Sequence, residues 1–485
     1  MKYKLCRKNL LYIKLGGCGM ANKKSSPKKK NALANFFSIL VSDLKEIGVT
    51  FKEGDFKTRI SFLIFGFGSL LRGLWLRGLA LLAVEAGLLY FVFGFGWTYL
   101  SKLSTLGTIA TSKKGRKTVY GDNSFLILLF GLLTLFAVIA FITVWRINVR
   151  INRTEQLILK NGRKLPTNKD DFLSLFDSNF DKTLLALPVT GVFVFTVLPI
   201  VFMICVAFTN YDANHQPPSN LFTWVGLENF HQLFSFSSTG FGGTFITVLI
   251  WTLLWALLAT FIDYFLGIAV AMLINKKGIR FKKLWRTILV VTIAVPQFVS
   301  LLYVSKLFAR DGLINGYLLK IGAITSAIPF WENATLAKIT IVVVNIWIGI
   351  PYMMLIATGL LMNIPEDLYE SARIDGATPW QMFRHITMPY MLFVTGPFLL
   401  TQYTGNLNNF NVIFLLSQGG PKTGNLVGGA GRTDLLITWL YKMTINDTNY
   451  RMAAVIGIMV FIVTAGVSLV VYNLLPSVRD EEGFQ

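Results

Sequence analysis

Long apolar runs alternate with polar segments along most of this chain. A helix needs about 20 mostly apolar residues to cross a membrane, and the runs that meet this length predict eight transmembrane helices. The runs are apolar on every side, whereas helices of a large soluble core would carry one apolar stripe. The predicted spans are Leu74–Trp97, Phe125–Trp145, Leu184–Phe208, Thr244–Ile274, Thr287–Ala309, Leu336–Met362, Met391–Ser417 and Met452–Leu475.

The segment before the first run mixes apolar and charged positions from Asn31 to Leu71, which favours a cytoplasmic or interfacial helical segment. We therefore predict an all-α polytopic membrane protein with three sections. Residues 1–73 form a basic, amphipathic N-terminal region, and residues 74–183 hold two extra spans and a cytoplasmic loop. Residues 184–485 form a core of six spans. The weak pattern of the first nineteen residues suggests that translation could start at Met20 instead of Met1.

Composition supports a membrane protein and excludes several other classes. Of the 485 residues, 53% are hydrophobic and 15% are charged, where a soluble domain carries roughly 25% charged residues. Disordered chains are poor in apolar residues, so disorder is excluded over most of the length. Three cysteines exclude a disulfide scaffold. With only three histidines besides, we expect no metal site built on soft ligands.

The positive charges indicate how the spans are oriented. The chain has 46 Lys and Arg against 25 Asp and Glu, and Lys and Arg accumulate on the cytoplasmic side of membrane proteins. With both termini placed inside, the inner segments hold 32 of these residues and the outer segments 11. One outer loop, with Lys113, Lys114, Arg116 and Lys117, departs from this trend. The lysines at 23–30 suit anionic lipid better than nucleic acid.

The loop at 363–390, after the sixth span, has an unusual charge for a cytoplasmic loop. It carries four acidic residues and two basic ones, although such loops are normally basic. Pro365 suits the first turn of a helix, and Glu366 and Asp367 suit its positive N-terminal end. Gly376 suits a helix stop, since glycine tolerates the left-handed conformation. The loop is therefore predicted to hold a short helix and to act as a docking surface.

The same loop carries a long gapped motif. The order is Glu370-Ser371-Ala372, Gly376 after three residues, and Ile386-Thr387-Met388-Pro389 after nine more. This resembles the E-A-A…G…I-x-L-P motif of membrane subunits of binding-protein-dependent ABC importers, in which the segment forms a coupling helix within a cleft of the ATPase subunit. The resemblance implies that Glu370 and Asp375 face that subunit and that Gly376 permits close approach. The implied coupling residues are Glu370, Ser371, Ala372, Asp375, Gly376, Ile386 and Pro389.

Further segments resemble the MalF-type subunit of maltose/maltodextrin importers, from about Leu184 to the end of the chain. The likeness is carried by 344–354, which includes Asn-Ile-Trp-Ile-Gly-Ile-Pro-Tyr, and by Asn-Leu-Asn-Asn-Phe at 406–410. It implies the type I permease core of six helices, preceded by two N-terminal helices. The loop Thr209–Gly243 departs from the enteric MalF type, which has a large folded insertion there.

Polar side chains recur on single faces of two predicted spans. Asn345, Gly349 and Tyr352 are spaced i, i+4, i+7, and Gln402, Asn406 and Asn409 repeat that spacing. Polar groups at membrane depth are costly unless they face partners or a cavity. Amides can bond sugar hydroxyls, and they can equally join helices to one another. Periodicity alone leaves both alternatives open.

The MalF-type resemblance implies the first alternative, a sugar site. Its matching positions here are Asn345, Ile348, Gly349, Tyr352, Gly405, Asn406, Asn409, Ile293 and Gln297. Gly405 and Ile293 depart from aromatic residues of that type, which leaves the exact sugar open. Two single acids, Glu85 and Asp263, also lie within spans. A proton relay normally needs a chain of such groups, so structural pairing is favoured for both.

No Walker A motif, G-x-x-x-x-G-K-[ST], occurs in the sequence. The chain is therefore expected to be a transport subunit and not an enzyme, with ATP and Mg²⁺ bound by a partner ATPase and no cofactor of its own. The resemblance implies a multi-pass subunit of the cell membrane that imports maltodextrin-type oligosaccharides. Its partners would be a second homologous permease, two ATPase subunits and an extracellular sugar-binding protein. The alternatives are another sugar or a glycerol-phosphate-like substrate, and an ion-driven secondary transporter, which would use intramembrane acids and inverted repeats.

Overall fold

Helices make up most of the computed structural model, which describes residues 32–114, 117–235, 240–276 and 278–474. The basic residues 23–30, the alternative start at Met20 and the C-terminal end lie outside the described residues. One two-stranded antiparallel sheet, β1 (Ser112–Lys114) and β2 (Lys117–Val119), pairs Ser112 with Val119. The helices are α1 Ala32–Glu53, α2 Phe56–Ile60, α3 Phe67–Leu71, α4 Trp75–Leu89, α5 Trp97–Leu100, α6 Ser124–Lys160, α7 Asn168–Ser174, α8 Phe180–Val192, α9 Leu198–Val206, α10 Glu228–Phe234, α11 Phe241–Asn275, α12 Lys282–Ala294, α13 Gln297–Leu307, α14 Leu313–Lys320, α15 Ala334–Leu361, α16 Glu366–Ile374, α17 Pro379–Met382, α18 Met388–Leu407, α19 Phe410–Ser417, α20 Leu436–Ile445 and α21 Tyr450–Leu474, with π-helical turns at Tyr90–Gly96, Phe193–Val197 and Phe383–Thr387.

Six helical stretches among the described residues are long and apolar enough to cross a membrane, or seven with one bent pair. This confirms the all-α polytopic class, for which about eight spans were predicted. The six are Trp75–Leu100, Ser124–Lys160, Phe180–Val206, Phe241–Asn275, Ala334–Leu361 and Tyr450–Leu474.

The predicted fifth span, Thr287–Ala309, is not one straight helix. The structure has two helices there, α12 and α13, which meet at an angle of 92°. Pro296 lies at the break, and Val295 before it is extended, with φ −79° and ψ 128°. Proline disfavours the helical conformation of the residue that precedes it, so the bend follows from the sequence.

The predicted seventh span, Met391–Ser417, is also divided, into α18 and α19, and it accounts for the difference in the count. Asn409 lies between the two helices, and its side-chain oxygen accepts a hydrogen bond from Val412 N at 3.3 Å. Asparagine is a favoured N-cap residue because its side chain satisfies an unpaired N–H of the first turn. The amides therefore start a new helix where the apolar run predicted a continuous one.

The described chain forms two compact units, unit 1 (32–88 and 139–180) and unit 2 (89–138 and 181–474). The predicted section boundaries near residues 73 and 183 stay predictions. In unit 1, an ion network links α2–α4 to α6 and α7. The side chain of Arg72 is fully buried and donates to Asp55 at 2.8 Å and to Glu155 at 3.3 Å. Ser69 and Arg77 also donate to Glu155, which is 2% exposed.

We expect Glu155→Gln to lower the free energy of unfolding of unit 1 by about 2 kcal/mol, because charged hydrogen bonds to two arginines are weakened in a buried place. Thermal unfolding of the purified protein and protease cleavage within 139–180 would measure this loss. Glu53→Gln is the matched control, because the Glu53 side chain is exposed and only its carbonyl oxygen accepts a hydrogen bond, from Gln156. Equal stability of the two variants would contradict the prediction.

Unit 2 is organised around α11, which packs along α15 and α18 and buries Trp255 completely. The loop before α20 is held in place by Asp434. The Asp434 carboxylate accepts from Gly431 N at 2.7 Å, Thr438 Oγ1 at 2.8 Å and Lys442 Nζ at 2.6 Å. Burial raises the pKa of the Asp434 carboxyl, and the Lys442 ammonium opposes that shift. Both side chains are nearly inaccessible, so this pair fixes the loop onto α20.

Candidate functional site

The loop at 363–390 folds as a short helix with a defined end. Helix α16 begins after Pro365, and Asp375 follows its last residue. Gly376 then adopts a left-handed conformation with φ +80°. Ala377 N donates to Ala372 O at 2.9 Å, which is the 6→1 hydrogen bond of a Schellman motif. The predicted helix stop at Gly376 is confirmed.

The chain turns back towards α18 directly after this stop. The hydroxyl of Thr378 accepts from Gln381 N at 3.3 Å, while the Gln381 side chain accepts from Thr378 N at 2.7 Å, and Pro379 occupies the first turn. This reciprocal pair is a capping box. The hydroxyls of Tyr369 and Thr387 lie 2.8 Å apart and tie α16 to the start of the next helix. The loop is therefore a preformed surface and not an irregular connection.

Four of the seven predicted coupling residues meet in one concave surface of this loop. Ala372, Asp375, Gly376 and Ile386 line a cavity of about 340 Å³ together with Gln381, Met382 and His385. Glu370 and Ser371 are exposed on α16. Pro389 is elsewhere, in an apolar cavity among α11, α18 and α21.

Two exposed apolar side chains in this loop were missed by the sequence reasoning. Ile374 is 86% exposed and Trp380 is 65% exposed, and neither lies within a predicted span. Large apolar residues on a polar segment mark a contact surface. The signal was present in the sequence, since both residues stand among charged and polar neighbours of the loop.

A second cavity brings together four of the nine predicted sugar-site residues. Ile293 and Gln297 from the α12–α13 bend and Ile348 and Tyr352 from α15 line a space of about 320 Å³. The bend at Pro296 places the first two residues against α15. Tyr352 is 48% exposed, so part of its ring is available to a ligand. The cavity thus combines two aromatic side chains, Tyr352 and Trp347, with one side-chain amide.

Asn345 and Gly349 do not line this cavity. Asn345 is buried and its Nδ2 donates to Asp263 Oδ2 on α11 at 3.0 Å. A Cβ atom placed on Gly349 would lie 2.0 Å from the same oxygen, so this glycine allows the carboxylate to fit between the helices. The shared face predicted for Asn345, Gly349 and Tyr352 is thus divided in this structure. Asn345 thus bonds to another helix, which was one of the two alternatives that the periodicity left open.

The remaining three predicted residues lie at the end of α18. Asn406 Nδ2 donates to Thr260 Oγ1 on α11 at 3.0 Å, and Asn409 Nδ2 donates to Asn406 Oδ1 at 3.3 Å. Gly405 is exposed, and a side chain there would meet open space. Thr260 and Asp263 are three residues apart on α11, so one face of this helix holds both sets of amides.

The two acids within spans each have a hydrogen-bond donor. Glu85 in unit 1 accepts from Phe65 N at 2.8 Å, and Asp263 in unit 2 accepts from Asn345. These contacts agree with the structural pairing favoured from the sequence. In the described part of the chain, no group of three or more His, Cys, Asp or Glu residues could hold a metal ion.

Comparison with known proteins matches residues 263–480 to the family described as binding-protein-dependent transport system inner membrane component. A similar relative is the maltodextrin transport system permease protein MalC of Streptococcus pneumoniae serotype 4. It is 34% identical over 442 residues, which cover 89% of this chain and 98% of MalC. The galactooligosaccharides transport system permease protein GanP of Bacillus subtilis is 32% identical over 86% of this chain and 97% of GanP.

Among solved structures, a bacterial ABC transporter involved in the import of the acidic polysaccharide alginate has a similar chain. The TM-score is 0.50 with 22% sequence identity, over 64% of this chain and 99% of that chain. At this level of identity the likeness bears on the fold. It supports the predicted permease architecture for the part of the chain that it covers.

Proposed function

The chain belongs to the family of binding-protein-dependent transport system inner membrane components, and from this premise we propose that it is the permease subunit of an ATP-driven importer of maltodextrin-type oligosaccharides. The observation that carries the proposal is the similarity to MalC along nearly the whole of both chains. The chain is a multi-pass protein of the cytoplasmic membrane. It is a transport component that works with a binding protein and partner subunits.

The finer composition of the complex is part of the proposal. One copy of this chain would pair with a second homologous permease, two ATPase subunits and an extracellular sugar-binding protein. ATP and Mg²⁺ would bind to the ATPase subunits, and both termini of this chain would be cytoplasmic, as its charge distribution favours. The assembly would lie in the lipid bilayer, and no nucleic acid is involved.

The loop with α16 would connect the motor to the membrane. Its concave surface around Gly376 and its exposed Ile374 and Trp380 offer a preformed contact for the ATPase subunit. When the ATPases close on ATP, a rigid contact would transmit their movement to α15 and α18, which flank the loop in sequence. The spans would then change from inward-facing to outward-facing as rigid bodies. Glu370 and Asp375 would contribute charge to this contact.

The substrate would pass beside α15. The cavity lined by Ile293, Gln297, Ile348 and Tyr352 has an aromatic ring that can pack against the apolar face of a sugar. The amides of Asn345, Asn406 and Asn409 can both donate and accept, as sugar hydroxyls require. In this structure Asn345 and Asn406 donate to side chains of α11, and Asn409 donates to Asn406. The proposal requires that sugar binds the carboxamide atoms that these bonds leave free or replaces the bond between Asn406 and Asn409. Gly405, which has open space beside it, would leave room for the sugar on α18.

Co-expression with candidate permease, ATPase and binding-protein subunits, followed by purification of this chain, tests this function. We expect the chain to co-purify with an ATPase and, in proteoliposomes supplied with ATP and a loaded binding protein, to import maltotriose. Omission of ATP or replacement of its γ-phosphate by a non-hydrolysable group should stop the uptake. Uptake that persists without ATP, driven by an ion gradient, would contradict the proposal.

A galacto-oligosaccharide is the second candidate substrate, because GanP is nearly as similar to this chain as MalC. A panel of maltose, maltotriose and galactobiose, each loaded on the cognate binding protein, separates the two. Preference for galactobiose would keep the permease function and change the substrate.

A further inference from the structure

Asp263 is a buried acid within a membrane span whose only described side-chain partner is Asn345. It lies on α11, is 7% exposed, and its Oδ2 accepts from Asn345 Nδ2 at 3.0 Å. Its Oδ1 is also buried and has no hydrogen-bond partner among the described residues. A buried acceptor without a donor is unfavourable. An acid kept only to stabilise the packing would be expected to have both oxygens satisfied.

The neighbouring helix is shaped around this carboxylate. Gly349 lies one turn after Asn345 on α15, and any side chain at Gly349 would collide with the Asp263 carboxyl group. The contact between the acid and the amide therefore depends on a glycine at this position. Asn345 and Gly349, which the proposed function assigns to the sugar path, therefore both contact Asp263, which it does not assign to that path.

The same face of α11 holds the other amides. Thr260 is 1% exposed and accepts from Asn406, which in turn accepts from Asn409. Helix α11 thus supplies one hydrogen-bond partner to α15 and one to α18. Because Asn345 donates to the acid through Nδ2, its side-chain oxygen is the carboxamide atom not engaged by Asp263.

We propose that Asp263 is a positioning residue for the oligosaccharide path: it holds the Asn345 carboxamide in the orientation in which its oxygen accepts from a sugar hydroxyl. The inference rests on the proposed function and deepens it. Asp263 has no contact with sugar, and it acts on transport through Asn345.

The test is the number of sugar molecules imported per ATP hydrolysed by the reconstituted complex with a loaded binding protein. In Asp263→Leu the bond to Asn345 is lost, and we expect this ratio to fall at least about fivefold, as one lost hydrogen bond to a charged group would allow. In Asp263→Asn the side-chain oxygen can still accept from Asn345, and we expect the ratio to stay within about twofold of the unsubstituted complex.

A second variant shows whether the effect of Asp263→Leu comes only from misfolding. Asp263→Ser is too short to reach Asn345, but its hydroxyl can bond to a carbonyl of its own helix, so α11 can form without an unpaired group. It should lower the ratio as Asp263→Leu does. Thr247→Val on the same helix is the matched control, because the only described bond of that hydroxyl is to Gly243 O one turn back. It should leave the ratio unchanged.

Two results would overturn the inference. One is an equal fall, in Asp263→Asn and Asp263→Ser, of the number of sugar molecules imported per ATP hydrolysed. The other is a fall of uptake and ATP hydrolysis by the same factor in Asp263→Ser, which a purely structural role would produce. Failure of the proposed function is a separate result, since the unsubstituted complex would then show no ATP-driven uptake at all.

Discussion

A Gly376→Val variant is expected to import sugar at less than about a tenth of the unsubstituted rate, because the end of α16 cannot keep its shape. Gly376 has φ +80°, and a left-handed conformation costs an ordinary residue roughly 1–2 kcal/mol, and a β-branched residue more. Valine would relieve this strain by unwinding the turn at 375–377, which lines the concave surface of the loop. Uptake and the amount of co-purified ATPase measure the effect.

Two variants separate the docking role from general strain. Gly322→Val is the matched control: Gly322 has φ +70°, open space around it, and Ala323 N bonds to Leu318 O at 3.0 Å in the same type of helix end. The backbone strain is therefore similar, and ATPase binding should persist. Gly376→Asn should keep most of the uptake, since asparagine tolerates the left-handed conformation.

The results discriminate among explanations. If Gly322→Val co-purified as little ATPase as Gly376→Val, the effect would come from general destabilisation of the chain, and the docking role would be wrong. If Gly376→Asn lost as much as Gly376→Val, the space left by the missing side chain would matter more than the backbone conformation. That outcome would agree with the close approach implied by the sequence motif and would contradict the conformational argument.

The sequence predicted most of the membrane architecture because long apolar runs are a strong signal. It missed the bend at Pro296, although a proline within an apolar run was visible and its effect on Val295 is local. It also predicted one continuous span where the structure has α18 and α19, because mean hydropathy over a long window hides the few amides at 406–409. Those amides are few, but each can end or start a helix through its side-chain hydrogen bonds.

The candidate site was harder to predict than the spans. Helical spacing predicted that Asn345 and Tyr352 share one face of α15. In the structure Asn345 bonds to Asp263 on α11, whereas Tyr352 lines a cavity. Residues i and i+7 point within about 20° of each other but lie about 10 Å apart along the helix axis, and which neighbour meets each of them is a matter of tertiary packing. Asp263 was noticed as a single acid, yet its partner lies on another helix and no local pattern connects the two.

The second large effect is expected for Tyr352→Ala, which should lower the rate of sugar uptake about tenfold or more. The ring lines the cavity with Ile293 and Gln297, and the Tyr352 hydroxyl has no hydrogen-bond partner among the described residues, so its loss leaves no polar group unpaired. Packing of an aromatic ring on a sugar, with the apolar area that it covers, is worth about 1.5–3 kcal/mol, which corresponds to at least about a tenfold change. Initial rates of maltotriose uptake at saturating ATP measure it.

Tyr352→Phe is the decisive comparison, because it keeps the ring and removes only the hydroxyl. If stacking on sugar is what Tyr352 contributes, the Phe variant should retain most of the uptake and the Ala variant should not. Tyr303→Ala on α13 controls for loss of an exposed tyrosine, since Tyr303 is 67% exposed and does not line this cavity. Normal uptake by Tyr352→Ala would remove the cavity from the path. The path would then have to run along the amides of α15 and α18.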